Sequence, residues 1–181
     1  MKKLVAFIGS PLENGRTANF VEEIVRGAKQ AGASAKIYTI HNMDIKFCQS
    51  CMYCKKEGDT CIIKDDMQAV YKDLYEADAV VFGSPVYVHQ VSAQTKLLFD
   101  RLFALVDSKL NPRFNEKKVV VVYTQNNDDP EAFRSYFDIN TSFMNDIGLK
   151  VMDTIIYAGH DENKKKDLIK RAFCAGKMLV E

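Results

Sequence analysis

The chain has 181 residues, of which 25 are basic and 24 acidic, so its formal net charge at pH 7 is +1. This balance gives no support for a nucleic-acid partner, because binding to phosphates requires a concentrated basic face. No apolar run approaches the roughly 20 residues of a membrane span, and the first residues do not resemble a signal peptide. We therefore expect one soluble, cytoplasmic domain over residues 1–181, without nucleic-acid or membrane partners.

Apolar runs of strand length alternate with segments of helical periodicity, which predicts a parallel sheet with helices on both faces. In the first half of the chain, strands are predicted over residues 4–8, 35–40 and 79–83. A helix over 17–31 separates the first two strands. A cysteine-rich loop over 42–64 and a helix capped by Asp65 or Asp66 precede the third strand.

The second half continues the same alternation. Its predicted elements are a helix from Ser92 to Leu105, a strand over 118–123, a helix that Asp129-Pro130 opens and Gly148 ends, a strand over 151–157, and a closing helix over 163–179. Five strands alternating with five helices predict a flavodoxin-like doubly wound α/β fold, with a five-stranded parallel sheet of order 2-1-3-4-5. In such sheets the ligand lies at the carboxyl ends of the strands.

Four of the five cysteines stand close together in one loop, at Cys48, Cys51, Cys54 and Cys61. This spacing can turn four thiolates toward one point, and it begins like the loops that hold iron–sulfur clusters. One [4Fe-4S] cluster on all four is our first hypothesis, because no second cysteine group exists. Zinc and free thiols are the alternatives. The fifth cysteine, Cys174, lies on the apolar stripe of the last predicted helix and is expected to be buried in the core.

The loop between the first strand and the first helix, residues 9–17, is rich in glycine and short polar side chains. Ser10, Asn14 and Thr17 stand just before a predicted helix N-terminus, where free N–H groups and the helix dipole favour an anion. The loop lacks both the Lys-Ser/Thr pair of a Walker loop and the G-x-G-x-x-G of dinucleotide folds. An ordinary strand-to-helix turn would account for its glycines, but the polar residues favour a phosphate site.

A second motif, Gly83-Ser84-Pro85-Val86-Tyr87, follows the third predicted strand and is continued by Ser92 to Lys96 and by Asp100-Arg101-Leu102. With Gly9-Ser10-Pro11 and the segment 61–67, it makes the chain resemble the NADPH-dependent FMN reductase branch of the flavodoxin-like superfamily. The four cysteines make it similar to the iron–sulfur flavoproteins of that branch.

This resemblance implies a non-covalent FMN, with its phosphate on the first loop, its ring against residues 85–87 and its pyrimidine edge near the loop after the fourth strand. The implied FMN-binding residues are Ser10, Asn14, Arg16, Thr17, Ala18, Ser84, Pro85, Val86, Tyr87, Thr124, Gln125 and Asn126. Leu12 stands where family members commonly have a basic residue, and Arg16 is expected to supply that charge. No catalytic residue is assigned; His89 is the one candidate, because a histidine near a flavin can donate a proton.

The expected function is that of an FMN-dependent oxidoreductase, which takes electrons from NAD(P)H or a ferredoxin and passes them to a small-molecule or protein acceptor. A [4Fe-4S] cluster would serve as its relay. The alternatives are an NAD(P)H:flavin or quinone reductase without a cluster, and a flavodoxin-like electron carrier that is not an enzyme. The resemblance also implies a homodimer or homotetramer.

Overall fold

The computed structural model describes residues 1–181 and contains a parallel five-stranded sheet. Neighbouring strands follow the order β2-β1-β3-β5-β6, with a short sixth strand, β4, paired to β3 alone. The strands are β1 (Lys3–Ile8), β2 (Ser34–Thr39), β3 (Ala79–Tyr87), β4 (Gln90–Val91), β5 (Lys117–Gln125) and β6 (Leu149–Ala158). Without β4 this is the predicted order 2-1-3-4-5, so the flavodoxin-like fold class is confirmed.

Helices cover both faces of the sheet. They are α1 (Arg16–Gln30), α2 (Tyr53–Lys56), α3 (Met67–Glu76), α4 (Ala93–Leu102), α5 (Arg134–Asp146) and α6 (Glu162–Val180). Helices α1 and α6 contribute to one buried apolar cluster, and α3, α4 and α5 contribute to the other. None of these helices has the length and hydropathy of a membrane span.

The interior strand β1 shows why these apolar runs are uninterrupted. Successive side chains of a strand point to opposite faces of the sheet. Val5 and Phe7 accordingly lie in the cluster with α3, α4 and α5, whereas Leu4, Ala6 and Ile8 lie in the cluster with α1 and α6. Because a parallel strand covered on both faces has no solvent side, every position after the exposed Lys3 at its start is apolar.

The sequence predicts that Ser84 to Tyr87 follow the third strand, but these residues belong to β3, so the predicted end of that strand is wrong. Ser84 and Pro85 pair with β5, opposite Tyr123 and Thr124. The chain then reverses at Val88-His89 into β4, where both turn residues have positive φ, 47° and 67°. A two-residue hairpin favours this geometry, although it is unusual for a β-branched residue such as Val88.

Two further predictions are wrong. Helix α5 begins at Arg134 rather than at Pro130, because the Asp129 carbonyl accepts a hydrogen bond from the Gln125 side chain and residues 129–132 form a turn instead. Cys174 is exposed on α6 rather than buried. It lies beside the stripe formed by Ala172 and Ala175, which does face the sheet.

A buried ion pair closes the cysteine-rich loop at its base. Asp65 and Arg101 have fully buried side chains and are paired through Arg101 NH1 and Asp65 Oδ2. Arg101 also donates to the Lys46 carbonyl at 2.7 Å, and Asp65 accepts the Lys46 backbone N–H at 2.9 Å. Residues 46 and 65, at the two ends of the loop, are thereby fixed to α4.

The charge of Asp65 depends on these donors. Burial alone would raise the pKa of this carboxyl, but the hydrogen bond from Arg101 and those from the backbone of Lys46 and Met67 hold it below its ordinary value. Stability from a lowered carboxyl pKa is present above the unfolded value, about 3.9. It is lost as the pH falls through the lower folded value.

Replacing Arg101 with leucine should leave Asp65 as an unpaired buried charge and lower the free energy of unfolding by about 3–5 kcal/mol. The matched control is Arg171→Leu, because Arg171 pairs with Asp153 on the surface, where a pair contributes at most about 1 kcal/mol. Urea unfolding at pH 7 measures both variants. Equal effects would show that the buried pair does not stabilise the loop base.

Candidate functional site

A cleft opens at the carboxyl ends of β1, β3 and β5, the edge where this fold class binds its ligands. Nine of the twelve residues that the sequence predicted to bind FMN line it: Ser10, Arg16, Thr17, Pro85, Val86, Tyr87, Thr124, Gln125 and Asn126. Leu12 also lines the cleft and is 64% exposed. The structure thus brings three segments that are distant in sequence into one site.

The other three predicted residues do not line the cleft. Asn14 is exposed at the tip of the first loop, with φ 56°. Ala18 is buried in the core around α1, so only its backbone can serve the loop. Ser84 is buried beneath the cleft, where its hydroxyl bonds to protein groups.

The N-terminus of α1 forms an anion cradle at one end of the cleft. The N-cap residue, Gly15, provides no side-chain hydrogen bond, so the first N–H groups of the helix lack a side-chain acceptor. The helix dipole adds to their affinity for an anion. Hydroxyl groups border the cradle: Ser10 accepts the Leu12 N–H at 3.2 Å, and Thr17 shares a 2.7 Å hydrogen bond with Thr124.

Arg16 brings a positive charge to the wall of the cleft. Its guanidinium donates to the Gly159 carbonyl at 2.7 Å and to Asn126 Oδ1, and it lies 5.6 Å from the centre of the Tyr157 ring. These contacts tie the start of α1 to the loops that follow β5 and β6. The arginine is therefore held in place before any ligand binds.

Gln125 carries an unsatisfied acceptor at the other side of the site. Its side chain is almost fully buried, and Nε2 donates to the Asp129 carbonyl at 2.7 Å. Its Oε1 is buried without a hydrogen-bond partner. Leaving a buried acceptor unpaired costs roughly 1–3 kcal/mol. Because Gln125 lines the cleft, a ligand N–H group can remove that cost.

A buried hydroxyl network joins the first loop to β3 and α4. Ser92 donates to the Gly9 carbonyl at 2.6 Å, and it caps α4 by accepting the Thr95 N–H at 3.2 Å. Thr95 donates to Ser84 at 3.1 Å. A Cβ atom on Gly9 would stand 1.8 Å from Thr95 Oγ1, so only glycine fits there.

Thr95 and Gly9 are positioning residues that the sequence interpretation did not identify. The available signal was the pair Ser92 and Thr95, three residues apart at a helix start, since a side chain there can turn back toward the cap. The hydrogen bond from Ser92 to Gly9 joins residues 83 apart in sequence, and no local pattern indicates it.

The β3–β4 hairpin borders the cleft through Tyr87, which is 43% exposed. His89 lies at the exposed tip of the hairpin, packs on the Phe133 ring at 5.1 Å and does not line the cleft. Tyr136 accepts the Val91 N–H at 3.4 Å and fixes the hairpin to α5. His89 therefore stays a candidate without a contact that assigns it a role.

The four loop cysteines are neighbours but do not form a metal site. Cys48 and Cys51 are exposed, whereas Cys54 and Cys61 are half-buried. Burial raises the pKa of the Cys54 thiol, Lys55 opposes this rise, and the other three thiols add to it. No three His, Cys, Asp or Glu side chains in the chain form a group that could hold a metal ion. As placed, these residues do not fit a closed cluster.

The sheet order and the cleft at its carboxyl edge define the chain as a flavodoxin-like protein. Within that class, the sequence pattern of the NADPH-dependent FMN reductase family matches residues 2–132. The chain belongs to this family.

Relatives with similar sequences are iron-sulfur flavoproteins. One from Methanocaldococcus jannaschii is 38% identical over 104 residues, which is 58% of this chain and 52% of the relative. Another, from Archaeoglobus fulgidus, is 40% identical over 100 residues, which is 55% of this chain and 48% of the relative. The chain spans about half the length of these curated relatives.

Solved structures share the fold across almost the whole chain. An NAD(P)H:quinone oxidoreductase from Methanothermobacter marburgensis superposes with a TM-score of 0.77 at 18% identity, covering 98% of both chains. An FMN-dependent NADH-azoreductase from Bacillus anthracis, in complex with FMN, gives a TM-score of 0.74 at 9% identity, covering 100% of both. At these identities the likeness shows the fold alone.

Changing Ser92 to alanine should remove both the cap of α4 and the donor to the buried Gly9 carbonyl. We expect the free energy of unfolding to fall by about 2 kcal/mol. Ser135→Ala, on the exposed side of α5, is the control and should change it by less than about 0.5 kcal/mol. Denaturant titration compares the two variants. A Ser92 variant as stable as the control would show that the hydroxyl network does not stabilise this part of the protein.

Proposed function

We propose that the cleft binds FMN non-covalently and that the chain is an NAD(P)H-dependent, flavin reductase-like oxidoreductase. The observation that carries this proposal is the pairing, in one cleft, of an anion cradle at α1 with the unpartnered acceptor of Gln125. FMN presents a phosphate at one end and a ring N–H donor at the other. Membership of the FMN reductase family supports the same ligand.

The donors and acceptors of the site fit FMN. The phosphate would be held by the N–H groups at the start of α1 and by the hydroxyls of Ser10 and Thr17. Arg16 adds a positive charge to the same wall. The ring edge would donate to Gln125 Oε1 and accept from the amide groups of Asn126 or the backbone. Ser84 supports the floor of this site, and we propose Asn14 and Ala18 as contributors through the backbone of the loop.

When bound, FMN supplies the exchange of electrons between a two-electron donor such as NAD(P)H and an acceptor. The residues of the chain bind and orient it. Thr17 and Thr124 join the first loop to β5, so the phosphate end and the ring end of the site keep a fixed separation. Tyr87 and the rest of the hairpin border the ring side, with His89 proposed as a proton donor from the tip.

We extend the proposal to one [4Fe-4S] cluster on Cys48, Cys51, Cys54 and Cys61, with a ferredoxin as a second possible donor. Support comes from the cysteine spacing and from the relatives named iron-sulfur flavoproteins. Because the structure does not bring three of these thiols together, we derive no electron-transfer step through a cluster. One alternative is an NAD(P)H:flavin or quinone reductase without a cluster. The other is a flavodoxin-like electron carrier that is not an enzyme.

The remaining features of the proposal rest on the length and composition of the chain and, for its assembly, on the family resemblance. They are a single domain over residues 1–181, a cytoplasmic location, and assembly as a homodimer or homotetramer. The electron acceptor is proposed as a small molecule or another protein.

The first test measures FMN affinity and NAD(P)H oxidation on the same preparations. Thr17→Ala should weaken FMN binding by about 1–2 kcal/mol, the contribution of a hydrogen bond to a charged group, whereas Thr141→Ala on α5 should leave it unchanged. A fluorescence titration of the FMN-free protein gives the affinities. Unchanged binding in the Thr17 variant would remove this residue from the phosphate site.

The same preparations separate the enzyme from the carrier. The FMN-loaded parent should oxidise NADH or NADPH in the presence of a flavin or quinone acceptor. A parent that binds FMN and accepts electrons from a reduced ferredoxin, but turns over neither nicotinamide, would support the carrier instead.

The second test concerns the metal. Cys51→Ser should lose iron and acid-labile sulfide in protein prepared without oxygen, but it should keep FMN, because the cleft lies on other segments. Cys174→Ser should keep both, since Cys174 lies on the outer face of α6. Stoichiometric zinc in the parent, or no metal at all, would contradict the cluster. The proposed function would then be that of a flavin or quinone reductase that has no cluster.

A further inference from the structure

A groove separates α4 from α5 on the face of the sheet that these two helices cover. Its volume is about 550 Å³, which lies within the range of small-molecule sites, roughly 300–1,000 Å³. Phe99 of α4 and Phe103, which follows this helix, line one side, and Ile139 and Phe143 of α5 line the other. The rings of Phe99 and Phe143 meet between the helices, with centroids 5.9 Å apart. The walls of the groove are therefore mainly aromatic.

Asn140 brings a polar group into this apolar lining. It lies on α5, is 7% exposed and lines the groove. Its Nδ2 is buried and has no hydrogen-bond partner in the protein. An amide nitrogen in this state has lost its water without gaining an acceptor, which opposes folding. Folding alone thus gives no reason for an asparagine here, whereas a ligand that carries an acceptor does.

A neighbouring hydroxyl does not satisfy this amide. Tyr123 of β5 is buried, and its ring stacks on Phe137 of α5 at 3.9 Å. Burial raises the pKa of the Tyr123 hydroxyl and the Asn140 amide opposes that rise, so the two groups are close. They nevertheless form no hydrogen bond with each other, and the hydroxyl is also without a partner. Asn140 Nδ2 is therefore free to donate into the groove.

The charges at the groove are already paired. Lys96 and Asp100, one turn apart on α4, form an exposed ion pair with each other. The groove consequently offers no unpaired cation for a phosphate or a carboxylate, and no unpaired anion for an amine. Its lining suits a neutral ligand.

We propose that this groove is a second ligand site, which binds a neutral, flat aromatic compound carrying a carbonyl oxygen. The rings of the compound pack between the phenylalanine side chains, and its oxygen accepts the hydrogen bond from Asn140 Nδ2. Such a ligand satisfies the donor and the walls together, whereas water can satisfy only the donor. The groove and the FMN cleft share no lining residue, so this site goes beyond the proposed function and does not require FMN.

A second copy of the chain matches the groove less well. The most exposed large apolar side chains are those of Met1, Phe47 and Val88. None of them carries an oxygen. A copy that inserted one of these side chains would fill the groove but leave Asn140 Nδ2 unpaired and further from water. The unpaired donor therefore favours a ligand with an acceptor atom.

The first measurement compares the binding of chromone and naphthalene to the purified protein by equilibrium dialysis. Both compounds are flat and bicyclic, but only chromone has a carbonyl oxygen. Asn140→Leu removes the donor at similar volume. It should weaken chromone binding about 10-fold, the effect of losing one hydrogen bond, without weakening naphthalene binding. A parent that does not bind chromone, or a variant that binds it like the parent, would overturn the proposal.

The stability of the same variant separates a ligand group from a structural one. Because Asn140 Nδ2 has no partner in the protein, Asn140→Leu should leave the midpoint of urea unfolding unchanged or raise it. The matched control is Asn145→Leu on the same helix. Asn145 Oδ1 accepts the Val151 N–H at 2.9 Å, so its loss should lower the midpoint. An Asn140 variant that unfolds as early as this control would show that the amide is structural.

Two comparisons locate the bound chromone. Ile139→Ala shortens one wall of the groove and should weaken the binding of both compounds. Chromone should also bind equally well with and without excess FMN, because the groove and the cleft have no residue in common. A chromone affinity that depends on FMN, together with an Ile139 variant that binds like the parent, would place the compound in the cleft and contradict a second site.

Sedimentation distinguishes a ligand from a second copy. Ile139→Asp places a charge in the groove and should leave the oligomeric state of the parent unchanged. If this substitution dissociates an oligomer, a second copy covers the groove in solution, and the groove is an interface rather than a ligand site.

Discussion

The buried pair of Asp65 and Arg101 is the interaction on which the rest of the molecule depends. A charge removed from water is tolerated only when it is paired and hydrogen-bonded, and here each partner also bonds to the backbone of Lys46. The pair thus gathers both ends of the cysteine loop onto α4. Because the same helix carries the hydroxyl network at its N-terminus, one helix contacts both the cysteine loop and the first loop of the cleft. The cysteine loop and the cleft are thus connected through α4 even though their residues lie on separate segments.

The cleft combines rigid and unsatisfied groups. Ser92, Thr95 and Ser84 satisfy one another and fix the floor, and Arg16 is held by groups from two loops. In contrast, Gln125 Oε1 has no hydrogen-bond partner, and the first N–H groups of α1 have no side-chain acceptor. A site of this kind pays little to reorganise when a complementary ligand arrives, so the affinity depends on the match of these few groups.

The sequence predicted the sheet because its strands are buried on both faces and therefore uniformly apolar. It predicted much of the cleft through the short motifs at the carboxyl ends of β1, β3 and β5. Local patterns did not reveal that β3 continues through Pro85 to a hairpin, because proline and small polar residues are typical of turns. Local patterns also placed Cys174 in the core. The apolar stripe of a helix has a width that sequence alone does not fix, so a residue at its border can be buried or exposed. The bond between Ser92 and Gly9 depends on tertiary packing, which no window of sequence contains.

The alternation of β1 between two cores limits where this chain can change length. A single inserted residue within β1 would move Val5 and Phe7 into the space of Leu4 and Ala6, and every helix contact of the strand would be exchanged at once. An insertion in the exposed stretch 47–51 meets no such register, because no backbone hydrogen bond involves these residues, although it would change the spacing of Cys48 and Cys51. For the fold, the sheet is therefore the part of this protein that tolerates a change of length least, and the exposed stretch 47–51 is the part that tolerates it best.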